Sequence, residues 1–223
     1  PDMFQRHCTE MHEKYYVTTI VESDYIATHP QHVGVPKIVN PEWLNARRHR
    51  ITGSIVGAII GINPYLSSDG VLQELLWPSF VGNECTRWGN EHEDDAQAAF
   101  LEYCNSPFFS EVHHGVTIVN KGLVVSTEPG YGWAAMSPDG VLELRQESGE
   151  IHQALIEYKA PYRHCNKDVA NADDLYPIIP LPKDFVQAGL QAPVPPYYFA
   201  QIQWGMGLLK LPRCFFVVWA PAH

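Results

Sequence analysis

A chain of 223 residues that is 45% hydrophobic and 18% charged has enough apolar side chain to close one compact core and too much to stay disordered. Its formal net charge of −10 excludes broad long-range attraction to nucleic acid, while leaving room for a locally basic cleft. No apolar run reaches the ~18 residues a membrane span needs, and the start lacks a basic segment followed by an apolar one, so a soluble, intracellular protein is expected, neither secreted nor membrane-bound.

Residues 1–40 hold a β-rich run at 15–21 and then the breakers Pro30, Gly34 and Pro36. They are expected to form an N-terminal extension of no assigned role. From Pro41 the spacing of Trp43, Leu44 and Arg47 predicts a helix ending near Arg50. Thr52 or Ser54 can then cap a short buried helix that Gly61 closes. A hydroxyl beside Arg47, Arg48 and Arg50 also suits a phosphate pocket; the competing reading is a capped core helix next to a solvated basic face.

Ser67-Ser68-Asp69 predicts the cap of a helix running through Leu76. Residues 86–104 read as one long helix in which Gly89, Glu93, Ala96, Phe100 and Cys104 share a stripe, so Glu93 is the acid that points inward. Taken alone, such an acid more often marks the edge of a buried face. Residues 112–119 and 123–126 read as paired strands, and 133–136 leads into Ser137-Pro138-Asp139-Gly140. Asp139 alone is a turn residue.

Residues 141–144 and 153–159 read as adjacent antiparallel strands around a polar turn at 146–149. Alternation puts Leu155, Glu157 and Lys159 on one face and Ile156 and Tyr158 on the other, so a carboxylate and an ammonium lie side by side. A buried charge is costly unless paired or metal-bound. Asp139 arriving at the same place would complete two carboxylates and a lysine, the set for a Mg²⁺-dependent hydrolase. In that setting the Lys159 ammonium is expected to be disfavoured, fitting it to act as a base.

Residues 161–196 are Pro-rich with apolar patches and read as a long packed insertion; 197–210 returns to helix with Gly205 and Gly207 allowing close approach, and 215–219 is a last core strand. The five cysteines show no C-x-x-C pair and read as reduced thiols, and the eleven histidines show no metal-ligand spacing.

The ordered set Trp43-x-x-x-Arg47, Ile51-Thr52-Gly53-Ser54, Gly89-x-x-x-Glu93, Ser137-Pro138-Asp139-Gly140, Glu157-x-Lys159 and Tyr198-x-x-Gln201-x-Gln203 resembles the phage lambda-type exonuclease, or YqaJ-like recombinase, family of the PD-(D/E)xK nucleases. The resemblance implies an α/β fold with a central mixed sheet flanked by helices, like restriction endonucleases, over 41–223. It implies 5′-to-3′ digestion of linear double-stranded DNA in viral or phage-type recombination or repair, with a single-strand-annealing protein as partner and a ring-shaped homotrimer as assembly. By position, Asp139, Glu157, the Tyr158 carbonyl and Glu93 would hold Mg²⁺, two ions with Mn²⁺ able to substitute. Lys159 would serve the attacking water, Gln201 would brace the site, and Arg47, Thr52 and Ser54 would grip a 5′ phosphate. The rival readings are a structure-specific endonuclease, an RNA-cleaving relative of the alkaline nucleases, and a non-catalytic scaffold that binds DNA ends.

Overall fold

The computed structural model describes residues 17–22, 45–79, 81–106, 115–162 and 194–221. Its centre is the hairpin of β6 (Gly140–Arg145) and β7 (Ile151–Lys159), in antiparallel register with Gly140 opposite Ile156 and Arg145 opposite Ile151. The polar turn closes through Gln146 and Gly149, whose φ of +84° suits a residue without a side chain. β3 (Gly115–Val119) adds antiparallel to β6, and β8 (Arg213–Val218) adds parallel to β7. β1 (Val17–Glu22) then adds antiparallel to β8. The result is a five-stranded mixed sheet ordered β1-β8-β7-β6-β3, with β7 in the middle.

A second sheet of three short strands runs β2 (Ile51–Thr52), β5 (Ala134–Met136), β4 (Val124–Val125). The expected pairing of 112–119 with 123–126 is therefore corrected. β3 pairs with β6 and β4 with β5, because Lys121-Gly122 turns the chain, Gly122 at φ +64°, out of one sheet and into the other.

Helices cover both faces of the large sheet. α5 (Pro196–Leu209) starts with Pro at its first turn and ends at Lys210 in the left-handed region, φ 56°. It packs through Phe199, Ile202, Met206 and Leu209 onto Leu155, Phe216 and Val218 of one face and onto Met136 of the small sheet. Gly205 makes this seam possible, since a Cβ there would meet Met136 Sδ at 2.2 Å and Leu155 Cδ2 at 2.9 Å. Gly207 has no such role: it is exposed, with nothing within 4 Å of a Cβ.

α4 (Glu93–Cys104) covers the opposite face with Ala96, Phe100, Tyr103 and Cys104 against Leu142, Ile156, Tyr158 and Phe215. The strand alternation expected for β7 is thus the one observed. The single helix expected over 86–104 is corrected to two: α3 (Glu84–Glu91), closed by an Asn83–Thr86 capping box, and α4, separated at His92. His92 Nδ1 pairs with Asp95 Oδ2 at 2.6 Å, and Glu93, Asp94 and Asp95 fill the first turn of α4, where negative charge favours a new helix start.

α1 (Gly53–Ile59) lies along α5, and α2 (Ser68–Leu76, capped by Ser67 Oγ on the Gly70 N–H) lies beside α1. Gly57 lets α1 touch α5 backbone to backbone, because a Cβ there would come within 2.9 Å of Tyr197 Cα. Most of 161–196 and residues 41–44 fall outside the described residues.

Candidate active site

β7 continues past the start of β6, and this overhang builds the site. Extending the register of Gly140 opposite Ile156 by one step sets Asp139 opposite Glu157. Asp139 Oδ2 accepts the Tyr158 backbone N–H at 2.7 Å, so the turn residue closes the ladder with its side chain. Trp219 N–H donates to the Lys159 carbonyl on the β8 side at 2.8 Å. Alternation along the strand therefore turns the Tyr158 carbonyl toward the Asp139 edge.

Glu157 is 1% exposed and Thr52 4% exposed; among the described residues these are the buried polar or charged side chains. Glu157 Oε1 accepts from both Lys159 Nζ and Gln201 Nε2. Gln201 comes from α5, so one helix both seals the core and orients the acid. Lys159 Nζ also lies 4.9 Å from the centroid of the Tyr198 ring.

The protonation of Lys159 is set by opposing effects. Burial pushes its pKa down, but the charges of Glu157 and Asp139, then Tyr198, together outweigh burial and move it above the ordinary lysine value. In the metal-free chain Lys159 is thus held as a cation by its acidic neighbours, whereas the expected loss of its proton concerns the site with metal bound.

A cavity of about 710 Å³ opens over this edge, with Asp139, Tyr158, Lys159 and Glu93 on its floor. Glu93 reaches it from the first turn of α4, placed there by the helix break at His92. Tyr65, Tyr197 and Tyr198 form one wall; Tyr65 and Tyr197 meet edge-on at 5.9 Å. Sequence reasoning did not single out Tyr65, Tyr197 or the Lys159–Tyr198 contact; the aromatic run after Pro195-Pro196 is a signal for Tyr197 and Tyr198, and nothing in the sequence marks Tyr65.

The donors over β7 are hard oxygens: the Asp139 and Glu157 carboxylates and the Tyr158 carbonyl. Two carboxylates with waters and substrate phosphate are the usual protein share of a Mg²⁺ site, so these residues fit that ion and suit zinc poorly. Among the described residues no three His, Cys, Asp or Glu side chains form a metal-holding group. Glu93 lines the same cavity as Asp139, from the first turn of α4.

The expected phosphate residues also come together. Thr52 sits at the N-cap of α1 but makes no capping bond; its Oγ1 instead accepts from Arg47 Nη2 at 3.3 Å and lies 3.3 Å from Ser54 Oγ. The expected side-chain cap from Thr52 is thereby corrected, since its hydroxyl bonds Arg47 and lies near Ser54. Burial lowers the Arg47 pKa below its usual value, as expected for a cation drawn into the fold. Arg50 does not share in the cluster: its guanidinium donates to the carbonyls of Gly132 (3.0 Å) and Ala46 and so holds loops together. Gly53 joins the cluster to the acids, because a Cβ there would stand 3.3 Å from Gln201 Cγ.

The YqaJ-like viral recombinase domain matches residues 42–208. A protein of African swine fever virus (strain Badajoz 1971 Vero-adapted) is 25% identical over 181 residues, which are 78% of the chain and 46% of that relative. The chain therefore spans about half the length of this relative. Among solved structures, the fold is similar to the alkaline exonuclease LHK-Exo from Laribacter hongkongensis, at 21% identity, covering 81% of the chain and 74% of that protein with a TM-score of 0.50. The same exonuclease in complex with dAMP gives a TM-score of 0.52 at the same identity and coverage. No described helix is long and apolar enough to cross a membrane.

Proposed function

The chain belongs to the YqaJ-like viral recombinase family, and on the strength of its site we propose that it is a Mg²⁺-dependent deoxyribonuclease that digests linear double-stranded DNA from a 5′ end. The observation that carries this is Glu157, 1% exposed on the central strand and bound to Lys159 and Gln201 next to Asp139. A buried ion pair is a poor stabiliser compared with apolar packing. Its place on the middle strand of the core calls for a chemical reason, and phosphodiester hydrolysis supplies one. A scaffold that only binds DNA ends has no use for two acids and a lysine on one strand edge.

Asp139, Glu157 and the Tyr158 carbonyl would hold the metal, with Mn²⁺ able to replace Mg²⁺ and Glu93 serving a second ion or its waters. When bound, the metal supplies charge neutralisation at the scissile phosphate and acidifies water. Gln201 fixes the Glu157 carboxylate by donating to its Oε1. The Lys159 ammonium donates to the attacking water or a phosphate oxygen, orienting the former and stabilising charge on the latter as it builds. Arg47 with the Thr52 and Ser54 hydroxyls receives the terminal 5′ phosphate, Arg as the charged fork and the hydroxyls as neutral partners. The single strand left behind is the substrate class of an annealing protein.

The test is degradation of linear duplex DNA with 5′-phosphorylated or 5′-hydroxyl ends, beside a covalently closed circle. The expected result is Mg²⁺-dependent loss of linear DNA only, fastest with a 5′ phosphate and lost in Glu157→Gln. Cleavage of the circle at an equal rate would establish the endonuclease reading instead. Removing Arg47 (Arg47→Ala) should abolish the preference for 5′-phosphorylated ends while leaving slow digestion of 5′-hydroxyl ends.

A further inference from the structure

The loop between β4 and β5 presents Tyr131 at 55% and Trp133 at 43% exposure, two large rings side by side on the surface. They do not stand alone. Tyr131 lies 5.9 Å from Trp133 between ring centroids, tilted 41°, and Trp133 lies 5.9 Å from Trp204 of α5, tilted 42°. Trp204 is anchored by its Nε1–H on the Ala135 carbonyl at 2.9 Å, and its Cδ1 is 3.6 Å from where a Cβ of Gly53 would be. The strip therefore starts at the residue between Thr52 and Ser54 and runs outward.

The loop backbone is held rigidly against the basic segment. Ile51 N–H donates to the Trp133 carbonyl at 2.8 Å, Arg50 Nε to Gly132 at 3.0 Å, and Ile51 and Thr52 pair with Ala134 and Ala135. Arg47, Arg48 and Arg50 are three of the fifteen Lys and Arg residues of an acidic chain, gathered within four positions. Arg48 and His49 are exposed at the turn, while the acid of the loop, Glu128, is engaged by Lys210 at 2.7 Å. Exposed rings on a fixed backbone beside clustered cations match a strand whose bases offer flat faces and whose phosphates offer charge.

We propose that Tyr131 and Trp133, backed by Trp204, are a stacking platform for unpaired bases of single-stranded DNA, outside the cavity and adjoining the Arg47 cluster. The proposal rests on reading that cluster as a phosphate site, but it needs neither metal nor catalysis. Every base has a π-face, so the platform takes any sequence.

The full-length protein is titrated with oligo(dT) in EDTA, following tryptophan fluorescence and affinity, with hydrolysis in Mg²⁺ measured separately. The expected result is quenching on binding, a roughly tenfold weaker affinity in Trp133→Ala, the size of one lost base–aromatic stack, and near-normal affinity with reduced quenching in Trp133→Phe. Tyr131→Ala weakens binding in the same way if Trp133→Ala fails to fold, and Trp77→Ala, at an exposed ring on the C-cap of α2, leaves the affinity unchanged. Absent quenching in the wild type, unchanged affinity in Trp133→Ala or Tyr131→Ala, or equal loss of heparin binding would overturn the platform. Loss of Mg²⁺-dependent hydrolysis with oligonucleotide binding intact would count against the nuclease reading alone.

Discussion

At the scale of single residues, the Glu157–Lys159 pair separates what can be removed from what must be replaced. Glu157→Ala leaves a lysine that is mostly covered, its side chain 18% exposed, without its nearest counter-charge. We expect that variant to lose on the order of 3 kcal/mol of stability in urea unfolding as well as its activity. Glu157→Gln keeps the shape and should lose activity with a smaller cost, so activity loss in the glutamine variant is the cleaner test of chemistry. The direction of the Lys159 shift yields a second expectation. Its folded pKa lies above the unfolded value, so the stability it contributes is fully present below about pH 10.4 and is lost only as pH rises through the folded value. In metal-free buffer the wild type should thus lose no stability through Lys159 between pH 7 and about pH 9.5, read by urea unfolding across that range beside Lys159→Arg; a loss in the wild type that the arginine variant lacks would contradict the held cation. A third expectation concerns Gly53→Ala, where the added methyl presses on Gln201 Cγ at 3.3 Å. Activity should fall severalfold with little change in melting temperature, read by a rate assay and a thermal melt on the same sample. These residues were legible because a charged pair on an apolar strand and a Pro-Asp turn stand out in any sequence. The orientation of Thr52 toward Arg47 was not legible, since a threonine before an apolar helix signals a cap with equal force.

At the scale of elements, helix against sheet decides which substitutions damage the fold and spare the site. Gly205→Ala places a methyl into Met136 and Leu155 and should cost roughly 1–3 kcal/mol by overpacking, seen as a lower urea midpoint with normal activity per folded molecule. The cysteines report the same layering. Burial pushes the Cys104 thiol up to about 12 and Cys214 well above its usual value, whereas Cys85 is exposed at the cavity. Brief iodoacetamide treatment at pH 8 should label Cys85 and spare Cys104 and Cys214, as peptide mass mapping would read; labelling of Cys214 in the native state would contradict the packing of β8. The β6–β7 hairpin and α5 were readable from alternation and from the helical spacing of Tyr198, Gln201, Gly205 and Leu208, because each has a strong period. The break at His92 was missed for a physical reason. Helical periodicity runs on in phase from α3 into α4, so Ala96, Phe100 and Cys104 look like one stripe with Gly89, and only the acid run Glu93-Asp94-Asp95 marks a new helix start.

At the scale of the whole molecule, the proposed DNA contacts take up a small part of the surface of an acidic chain. Arg47, Thr52 and Ser54, the edge of β7 and the Tyr131–Trp133 strip are linked along α5 through Gln201 and Trp204. The mixed sheet with flanking helices is the one expected from the motif order. The division of the short strands into a second sheet was not foreseeable, because segments of two or three residues carry no period of their own. The central place of β7 has a consequence for how the protein fails. The strand is bonded on one edge to β6 and on the other to β8, and it is sealed by α4 and α5. The amides of Leu155 and Ile156 should therefore exchange with deuterium only through global opening, among the slowest in the chain. Two of the proposed site residues, Glu157 and Lys159, ride on the last element to let go, so heat should not produce a folded but dead protein: loss of activity and loss of the native state are expected as one cooperative event.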